Sequence, residues 1–287
     1  MFRKILVCTD LSPASDALIQ CVDDFKILGM EEVVLAHVIY VANTPGLEEM
    51  LAEEARPGLE RQRKFLTEQG LKVVVEMPFG KPAHTLNDTA EKHDVSAIIV
   101  GSHGKGILRS ATLGSVSSRL LNLSQRPVFL ARIALLTSGK CELICPKLFS
   151  RVLYPTDFSE TAERAFGYLE KVVAETKCPV TILHTHDERT HGQPLSSHQE
   201  EWKKLHGFLL EPRKVRLEAL GSAEVRIDLP YGVPSQEIIR YVKEGNYSIV
   251  VMGSNGKGFS GELMMGSVAN EVARLAEVPI LFVPALR

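Results

Sequence analysis

Two glycine-rich segments with the same spacing hold the residues of this chain that are best suited to binding chemistry. The segment 101–115 reads Gly-x-x-Gly, nine further residues and then Gly-Ser, and the segment 253–267 repeats this spacing. Glycine lets backbone N–H groups approach an anion closely, and the positive end of a following helix attracts the same anion. The pattern therefore predicts two sites that hold phosphate, and we expect the phosphate to belong to a nucleotide.

The repeat extends along the whole chain of 287 residues. The segment 4–12 matches 151–159, and the apolar run 97–102 matches 249–254. A period of this length is the size of a small globular domain rather than of a solenoid repeat. We predict a first nucleotide-binding domain at residues 1–135, a linker at 136–149 and a second nucleotide-binding domain at 150–287.

Short apolar runs alternate with longer amphipathic stretches in each half. In the first half they predict strands at Lys4–Cys8, Glu32–Val38, Lys72–Met77, Ala97–Gly101 and Val128–Ala131, with helices at Ser12–Leu28, Leu47–Gln69, Pro82–His93 and Ser115–Leu123. Runs rich in Val, Ile and Leu without alternation are typical of parallel strands that are buried on both faces. Each half is therefore expected to be an α/β domain with a five-stranded parallel sheet flanked by helices.

The residues suited to ligand contact fall at one edge of each predicted sheet. Asp10, Asp157, Gly101 and Gly253 all follow or end predicted strands. Ligands of open parallel sheets bind at the carboxyl ends of the strands, where the strand order reverses. This placement supports the prediction of phosphate sites.

The second helix of each half is strongly charged, which indicates a solvated face. Apolar residues within these helices predict the buried stripe. They are Leu59, Phe65 and Leu66 in the first half and Trp202, Leu205, Phe208 and Leu209 in the second.

Composition restricts the function classes. A net charge of −2 argues against a nucleic-acid groove, and no apolar run approaches the ~20 residues that span a bilayer. The chain begins with a strand, so we expect no signal peptide. Five cysteines, an odd number without framework spacing, indicate the reducing cytoplasm.

The glycine motif, the Thr-Asp after the first strand and the Leu-x-His of the second strand together resemble the universal stress protein family. The chain is similar to a tandem member with two fused domains. The resemblance implies a Rossmann-like fold with strand order 3-2-1-4-5 in each domain. It also implies ATP or a related adenine nucleotide as ligand, with Mg²⁺ carried by the phosphates.

The resemblance implies a role for each matching residue. Asp10 and Asp157 accept hydrogen bonds from adenine or ribose, the residues after the strand histidines line the adenine pocket, and the glycines and serines approach ribose and phosphates. The binding residues of the first domain are then Thr9, Asp10, Val38, Gly101, Gly104, Gly114, Ser115, Val116 and Ser117. Those of the second domain are Pro155, Thr156, Asp157, Thr185, Met252, Gly253, Gly256, Gly266, Ser267 and Val268.

Simpler explanations exist for several of these residues. A glycine after a strand can just form a turn, and Asp10 and Asp157 can cap the helices that follow them. His37 and His184 are expected to be hydrogen-bonded core histidines. A metal cluster can be drawn from His184 and His186 with Asp187 and His191, but nothing fixes a fourth ligand and the first half lacks the pattern, so we predict no metal site.

We expect a nucleotide-binding regulatory protein without catalytic residues. No P-loop motif is present, and the charged residues of the glycine loops are few: Lys105 and Arg109 in the first, Lys257 and Glu262 in the second. These charges predict two sites of unequal affinity. A slow ATPase or other ATP-using enzyme, and a non-catalytic interaction scaffold, remain alternatives. The protein partner is unknown.

The last strand of each half would be an exposed sheet edge. We therefore predict that the halves pair through these edges as an intramolecular pseudo-dimer, and that the chain can also form a homodimer.

Overall fold

The computed structural model of the chain describes residues 1–41, 46–102, 113–135, 141–143, 147–187, 196–256 and 264–285. The chain divides into two compact units, Met1–Pro146 and Lys147–Arg287. Each unit is an α/β domain, and we call them the first and the second domain.

The first domain contains a five-stranded parallel sheet. Its strands are β1 (Lys4–Cys8), β2 (Glu32–Ala36), β3 (Lys72–Glu76), β4 (Ala97–Gly101) and β5 (Val128–Ala131). The order across the sheet is β3-β2-β1-β4-β5. Its helices are α1 (Pro13–Gln20), α2 (Glu48–Glu68), α3 (Pro82–Lys92) and α4 (Ser115–Leu123), and a hairpin of β6 (Ile133–Leu135) and β7 (Cys141–Leu143) follows β5.

The second domain repeats this arrangement. Its strands are β8 (Val152–Pro155), β9 (Val180–Leu183), β10 (His186–Asp187), β11 (Val225–Asp228), β12 (Tyr231–Gly232), β13 (Ile249–Gly253) and β14 (Ile280–Val283). The main sheet has the order β11-β9-β8-β13-β14, and the short strands β10 and β12 pair beside it. The helices are α5 (Glu160–Thr176), α6 (Ser196–Ala219), α7 (Pro234–Glu244) and α8 (Ser267–Leu275).

Both sheets confirm the predicted fold class and the strand order 3-2-1-4-5. The order reverses at the first strand, because the chain moves from β1 to β2 on one side and returns to β4 on the other. In the second domain the same reversal lies between β8 and β13. The carboxyl ends of these strand pairs are the places where a ligand site is expected.

Several element boundaries differ from the sequence prediction, and those of β3, α2 and α3 differ by one residue. Strand β2 ends at Ala36 rather than Val38, and the helix predicted over Ser12–Leu28 is α1 followed by a 3₁₀ helix at Cys21–Leu28. The buried residues of that 3₁₀ helix include Val22, Phe25 and Leu28, a spacing of three that fits its three residues per turn. Strand β7 lies within the segment predicted as the linker and pairs with β6, which precedes that segment.

The predicted buried stripes of the second helices are partly wrong. Leu59 and Leu66 of α2 are buried, whereas Phe65 is exposed. On α6 the predicted Leu205, Phe208 and Leu209 are exposed, and Phe208 reaches 77%. The residues that α6 buries are Leu210 and Leu217, which lie on the face that also carries Trp202, His206 and Arg213. The buried stripe of α6 therefore lies on a different face from most of the apolar residues that the sequence suggested. The many charged residues of the helix obscured this face in the sequence.

We expect Tyr154→Phe to destabilise the second domain by about 0.5–1.5 kcal/mol, the usual net contribution of a hydrogen bond. Tyr154 is fully buried in β8, and its hydroxyl donates a hydrogen bond of 2.8 Å to the Ala162 carbonyl of α5, which the substitution would remove. Urea unfolding at unchanged m-value measures the loss. Tyr40→Phe is the matched control, since Tyr40 is 49% exposed. An equal midpoint shift for both variants would contradict the role of the buried hydrogen bond.

Candidate functional site

A cavity of 410 Å³ lies at the carboxyl edge of the first sheet. This volume falls within the range of about 300–1,000 Å³ that is common for small-molecule sites. The walls come from the ends of β1, β2 and β4 and from the first turns of α1 and α4. Eight of the predicted binding residues line it: Thr9, Asp10, Val38, Gly101, Gly114, Ser115, Val116 and Ser117. Gly104, the ninth, lies outside the described residues.

The loop after β1 fixes the carboxylate of Asp10 at the edge of this cavity. Its Oδ1 accepts hydrogen bonds from the backbone N–H of Ser12 at 3.1 Å and from the Ser12 hydroxyl at 2.5 Å, and also from the Ser15 hydroxyl. The Ser15 oxygen in turn accepts the N–H of Asp10 at 3.0 Å. The capping explanation is wrong in its residues, because the N-caps of α1 and α5 are Ser12 and Ser159 rather than the aspartates. Asp10 instead holds the serines at the start of α1 and borders the cavity.

A histidine connects the second strand to this loop in both domains. Nδ1 of His37 lies 2.9 Å from the Thr9 carbonyl, and Nδ1 of His184 lies 2.8 Å from the Thr156 carbonyl. A carbonyl oxygen can only accept, so Nδ1 carries the hydrogen in each ring. The predicted hydrogen bonds are present, but neither histidine is a fully buried core residue, and His37 lines the cavity.

The start of α4 forms the opposite wall. Gly114 is its N-cap, and the N–H groups of the first helical turn have no partners within the helix. The Ser117 hydroxyl donates to the Gly101 carbonyl at 2.7 Å, which joins the two halves of the glycine motif. The N-cap glycines have φ of −56° at Gly114 and −61° at Gly266, values open to any residue. The glycine at this position is therefore not required by its dihedral angles.

The glycines of the second motif serve two different purposes. A Cβ on Gly253 would lie 2.8 Å from the carbonyl carbon of Thr161 and 2.9 Å from the nitrogen of Ala162, so this glycine lets α5 pack against β13. A Cβ on Gly256 would lie 2.8 Å from Oδ2 of Asp157. The second loop therefore begins directly beside the predicted ligand-binding aspartate.

The rest of the second motif is held by local hydrogen bonds. The Asn255 carbonyl accepts hydrogen bonds from the hydroxyls of Thr161 and Ser159, and the Asn255 side chain donates to the Met264 carbonyl at 2.6 Å. The backbone N–H of Ser159 donates to Asp157 Oδ1 at 3.0 Å. Pro155, Thr156 and Met252 are buried, whereas Thr185, Val268 and Ser267 are at least partly accessible. In both domains it stays a prediction that the binding residues contact a ligand.

Sequence reasoning missed much of the apolar lining of the cavity. These residues are Ala14 and Leu18 of α1, Ala36 of β2, Pro82 and Leu86 of α3, and Ile133 of β6. Their signal in the sequence is only the apolar face of an amphipathic helix, which does not distinguish a core from a pocket wall. Cys8 also lines the cavity, and burial raises the pKa of its thiol well above the ordinary value, so it stays protonated at neutral pH.

The described residues contain no group of three or more His, Cys, Asp or Glu side chains that could hold a metal ion. His186 is buried against Trp202 and Tyr231, with ring centroids 5.0 and 5.1 Å away. His191 lies outside the described residues. In the same part of the chain, no helix has both the length and the apolar character that crossing a bilayer requires.

The family model described as "Universal stress protein family" matches residues 1–132 and again residues 148–284. The chain belongs to the universal stress protein family. The two matches cover both domains, so it is a tandem member of the family, as the motifs predicted.

Relatives that match nearly the whole chain and relatives that match about half of it both support this membership. A universal stress protein of Mycolicibacterium smegmatis is 26% identical over 97% of this chain and 96% of its own length. One from Methanocaldococcus jannaschii is 32% identical over 46% of this chain and 96% of its own length. The crystal structure of a universal stress protein from Archaeoglobus fulgidus covers 99% of both chains, with a TM-score of 0.74 and 26% identity.

We expect Ser15→Ala to destabilise the first domain by about 1.5–3 kcal/mol, the usual contribution of a hydrogen bond to a charged group. The substitution removes both the donor to the Asp10 carboxylate and the acceptor for the Asp10 N–H. Urea unfolding measures the change. Gln125→Ala is the control, because Gln125 is an exposed polar residue of the same domain and its truncation should change stability by less than about 0.5 kcal/mol. A loss of that small size for Ser15→Ala would show that Ser15 does not hold Asp10.

Proposed function

We propose that this universal stress protein is an adenine-nucleotide-binding regulatory protein with one site in each domain. The cavity of the first domain is the observation that carries the proposal. Segments that are far apart in the chain contribute its walls, and eight residues that the family resemblance implied as binding residues line it. A stress-response role follows from the family alone and is part of the proposal.

The chemistry of the cavity suits the parts of a nucleotide. The first turn of α4 offers unpaired N–H groups and the hydroxyl of Ser115, which are the donors that phosphate oxygens need. Asp10 offers an acceptor for the ribose hydroxyls or the adenine amino group. Val38, Leu86 and Val100 supply apolar surface on which a base can lie. In this arrangement Gly101 and Gly104 bring backbone close to the ribose and phosphates.

The second domain carries the same set with two polar differences, one of which is Thr185 in place of Val38. Asp157, Gly256, Gly266 and Ser267 occupy the matching positions, whereas Ala269 replaces Ser117 and lacks its hydroxyl. The proximity of Gly256 to Asp157 supports a site in which the glycine loop and the aspartate act together. Pro155 and Met252 complete the proposed wall on the β8–β13 side.

Binding rather than hydrolysis is the proposed activity. Among the described residues that line the first cavity, none is Lys or Arg, and the ionisable ones are Cys8, Asp10 and His37. Phosphoryl transfer depends on cationic or metal stabilisation of the γ-phosphate and on a positioned base or water. Mg²⁺ would arrive with the phosphates rather than in a preformed site. The slow ATPase and the scaffold remain the alternatives, and steady-state hydrolysis with Mg²⁺ tests the first.

The remaining proposals concern the whole chain. The pairing of the last strands in an intramolecular pseudo-dimer, a homodimer, the absence of nucleic-acid binding and a cytoplasmic location all rest on the sequence.

We expect calorimetry with ATP and Mg²⁺ to saturate at one nucleotide per domain. Gly114→Val should remove the first-domain site and Gly266→Val the second, because the added side chain projects where phosphate must approach the N–H groups. Both φ angles suit valine, and a Cβ on Gly266 would have no neighbour closer than 3.4 Å, so both variants should fold. Each loss should exceed about tenfold in affinity, which corresponds to about 1.4 kcal/mol.

Gly167→Ala is the control for these variants. Gly167 lies within α5, and a Cβ there would meet nothing within 4 Å. Its affinity for ATP should equal that of the wild type. Undiminished binding by a folded Gly114→Val, Gly266→Val double variant would overturn the proposal, and absence of binding by the wild type would favour the scaffold.

The two sites should differ in affinity and in salt dependence. Lys105 and Arg109 carry two positive charges in the first loop, whereas Lys257 and Glu262 cancel in the second. These loop residues lie outside the described residues, so the prediction rests on sequence. Exposed charges act over about 10 Å at 0.1 M salt. Raising the salt concentration should weaken binding in the Gly266→Val variant more than in Gly114→Val. Equal slopes would contradict the charge argument.

A further inference from the structure

A cluster of six aromatic and imidazole rings packs α6 against the loop after β8, which carries Asp157. It consists of Phe158, His184, His186, Trp202, His206 and Tyr231, and we call it the imidazole cluster. His184, His206 and Trp202 form its centre as stacked rings with centroids 4.3 to 5.4 Å apart. Three of the chain's nine histidines therefore belong to this one cluster.

The first domain fills the same place with aliphatic side chains. There Ile39, Ala52 and Ala55 are buried together, and Leu11, Leu51 and Met77 pack against them. The repeat aligns His186 with Ile39 and Phe158 with Leu11. It also aligns His206 with Ala55, because Leu210 and Leu217 of α6 are buried like Leu59 and Leu66 of α2. The second domain has therefore replaced two uncharged core residues with titratable ones, and the first domain is an internal reference.

The hydrogen bonds of the stacked histidines define what happens when they gain protons. Nδ1 of His184 donates to the Thr156 carbonyl, and Nδ1 of His206 lies 2.9 Å from the Trp202 carbonyl, to which it must likewise donate. A further proton on either ring is therefore added at Nε2. The two rings stack at 4.9 Å with an interplanar angle of 19°, so charging both places two cations face to face.

Charged groups from every neighbouring element face this cluster. Lys203 of α6 lies over the Tyr231 ring, and Arg213 of α6 lies over Phe158 while it pairs with Glu163 of α5. Asp157 and Asp187 adjoin the cluster along the chain, and Glu200 acts on Tyr231. These carboxylates can balance the positive charge of one added proton. They do not lie between the two stacked imidazole rings.

We propose that the imidazole cluster is a proton-responsive device that loosens the attachment of α6 to the Asp157 loop when the pH falls through the titration range of imidazole. Two imidazolium rings stacked with centroids 4.9 Å apart would repel each other, and the unfolded chain, in which the rings are separate, lacks this repulsion. Stability rises with pH wherever the unfolded state binds more protons, so the second domain loses stability as the pH falls. Because His184 is bonded to Thr156, the loss acts directly on the residue before Asp157.

The test uses the full chain and its single tryptophan, which lies in the cluster. Thermal unfolding followed by Trp202 fluorescence is compared between about pH 7.5 and about pH 5.5, a range that spans imidazole titration. The transition temperature of the wild type should fall by more than about 4 °C. The double variant His186→Ile, His206→Ala, which restores the residues of the first domain, should lose at least half of this fall.

Two further variants keep the test decisive. His206→Gln retains size and polarity without a titratable ring and should also reduce the pH dependence, which covers the case that the double variant does not fold. His84→Gln, at an exposed position of α3, should behave as the wild type. An unchanged pH dependence in His206→Gln, or an equal reduction in His84→Gln, would overturn the proposal. No nucleotide is present, so the result is independent of the proposed binding function.

Discussion

The reversal of strand order at the first strand is the constraint on which both domains depend. The loops that follow β1 and β4 lead to helices that must diverge. Polar backbone N–H and C=O groups of both loops therefore lie at one point of the sheet edge. Polar groups in such a place need partners, which are supplied by water, by a ligand or by the protein itself. In the first domain Ser12, Ser15 and Ser117 satisfy part of this need and leave a cavity between α1 and α4.

The histidine that follows the second strand connects that strand to the loop after the first strand. Its hydrogen bond to the threonine carbonyl is the same in both domains, and it fixes the backbone immediately before the aspartate. The packing of the second helix near this histidine differs. In the first domain aliphatic residues of α2 pack with Ile39, whereas in the second Trp202 and His206 of α6 stack on His184 itself. Duplication therefore preserved the geometry of the loop and changed the chemical character of its support.

The glycine motif combines residues with different physical roles. Gly253 is needed because the backbone of α5 approaches it, and this would hold without any ligand. Gly114 and Gly266 have ordinary dihedral angles, and their lack of a side chain matters only if something must approach the helix start. The latter pair is thus the more informative about binding. The shared spacing in both copies reflects packing and the proposed site together.

The sequence by itself determined the two domains' alternation of strands and helices, because buried parallel strands and amphipathic helices have local signatures. The ends of β1, β4, β5 and α4 were predicted to the residue. The strand order came only from the family resemblance, since pairing between distant strands has no local signal. The buried face of α6 was mispredicted because charged and aromatic residues share it. Tertiary structure alone decided that Ala14, Leu18 and Ile133 wall a cavity, and that His184 and His206 stack, because these contacts join residues far apart in the chain.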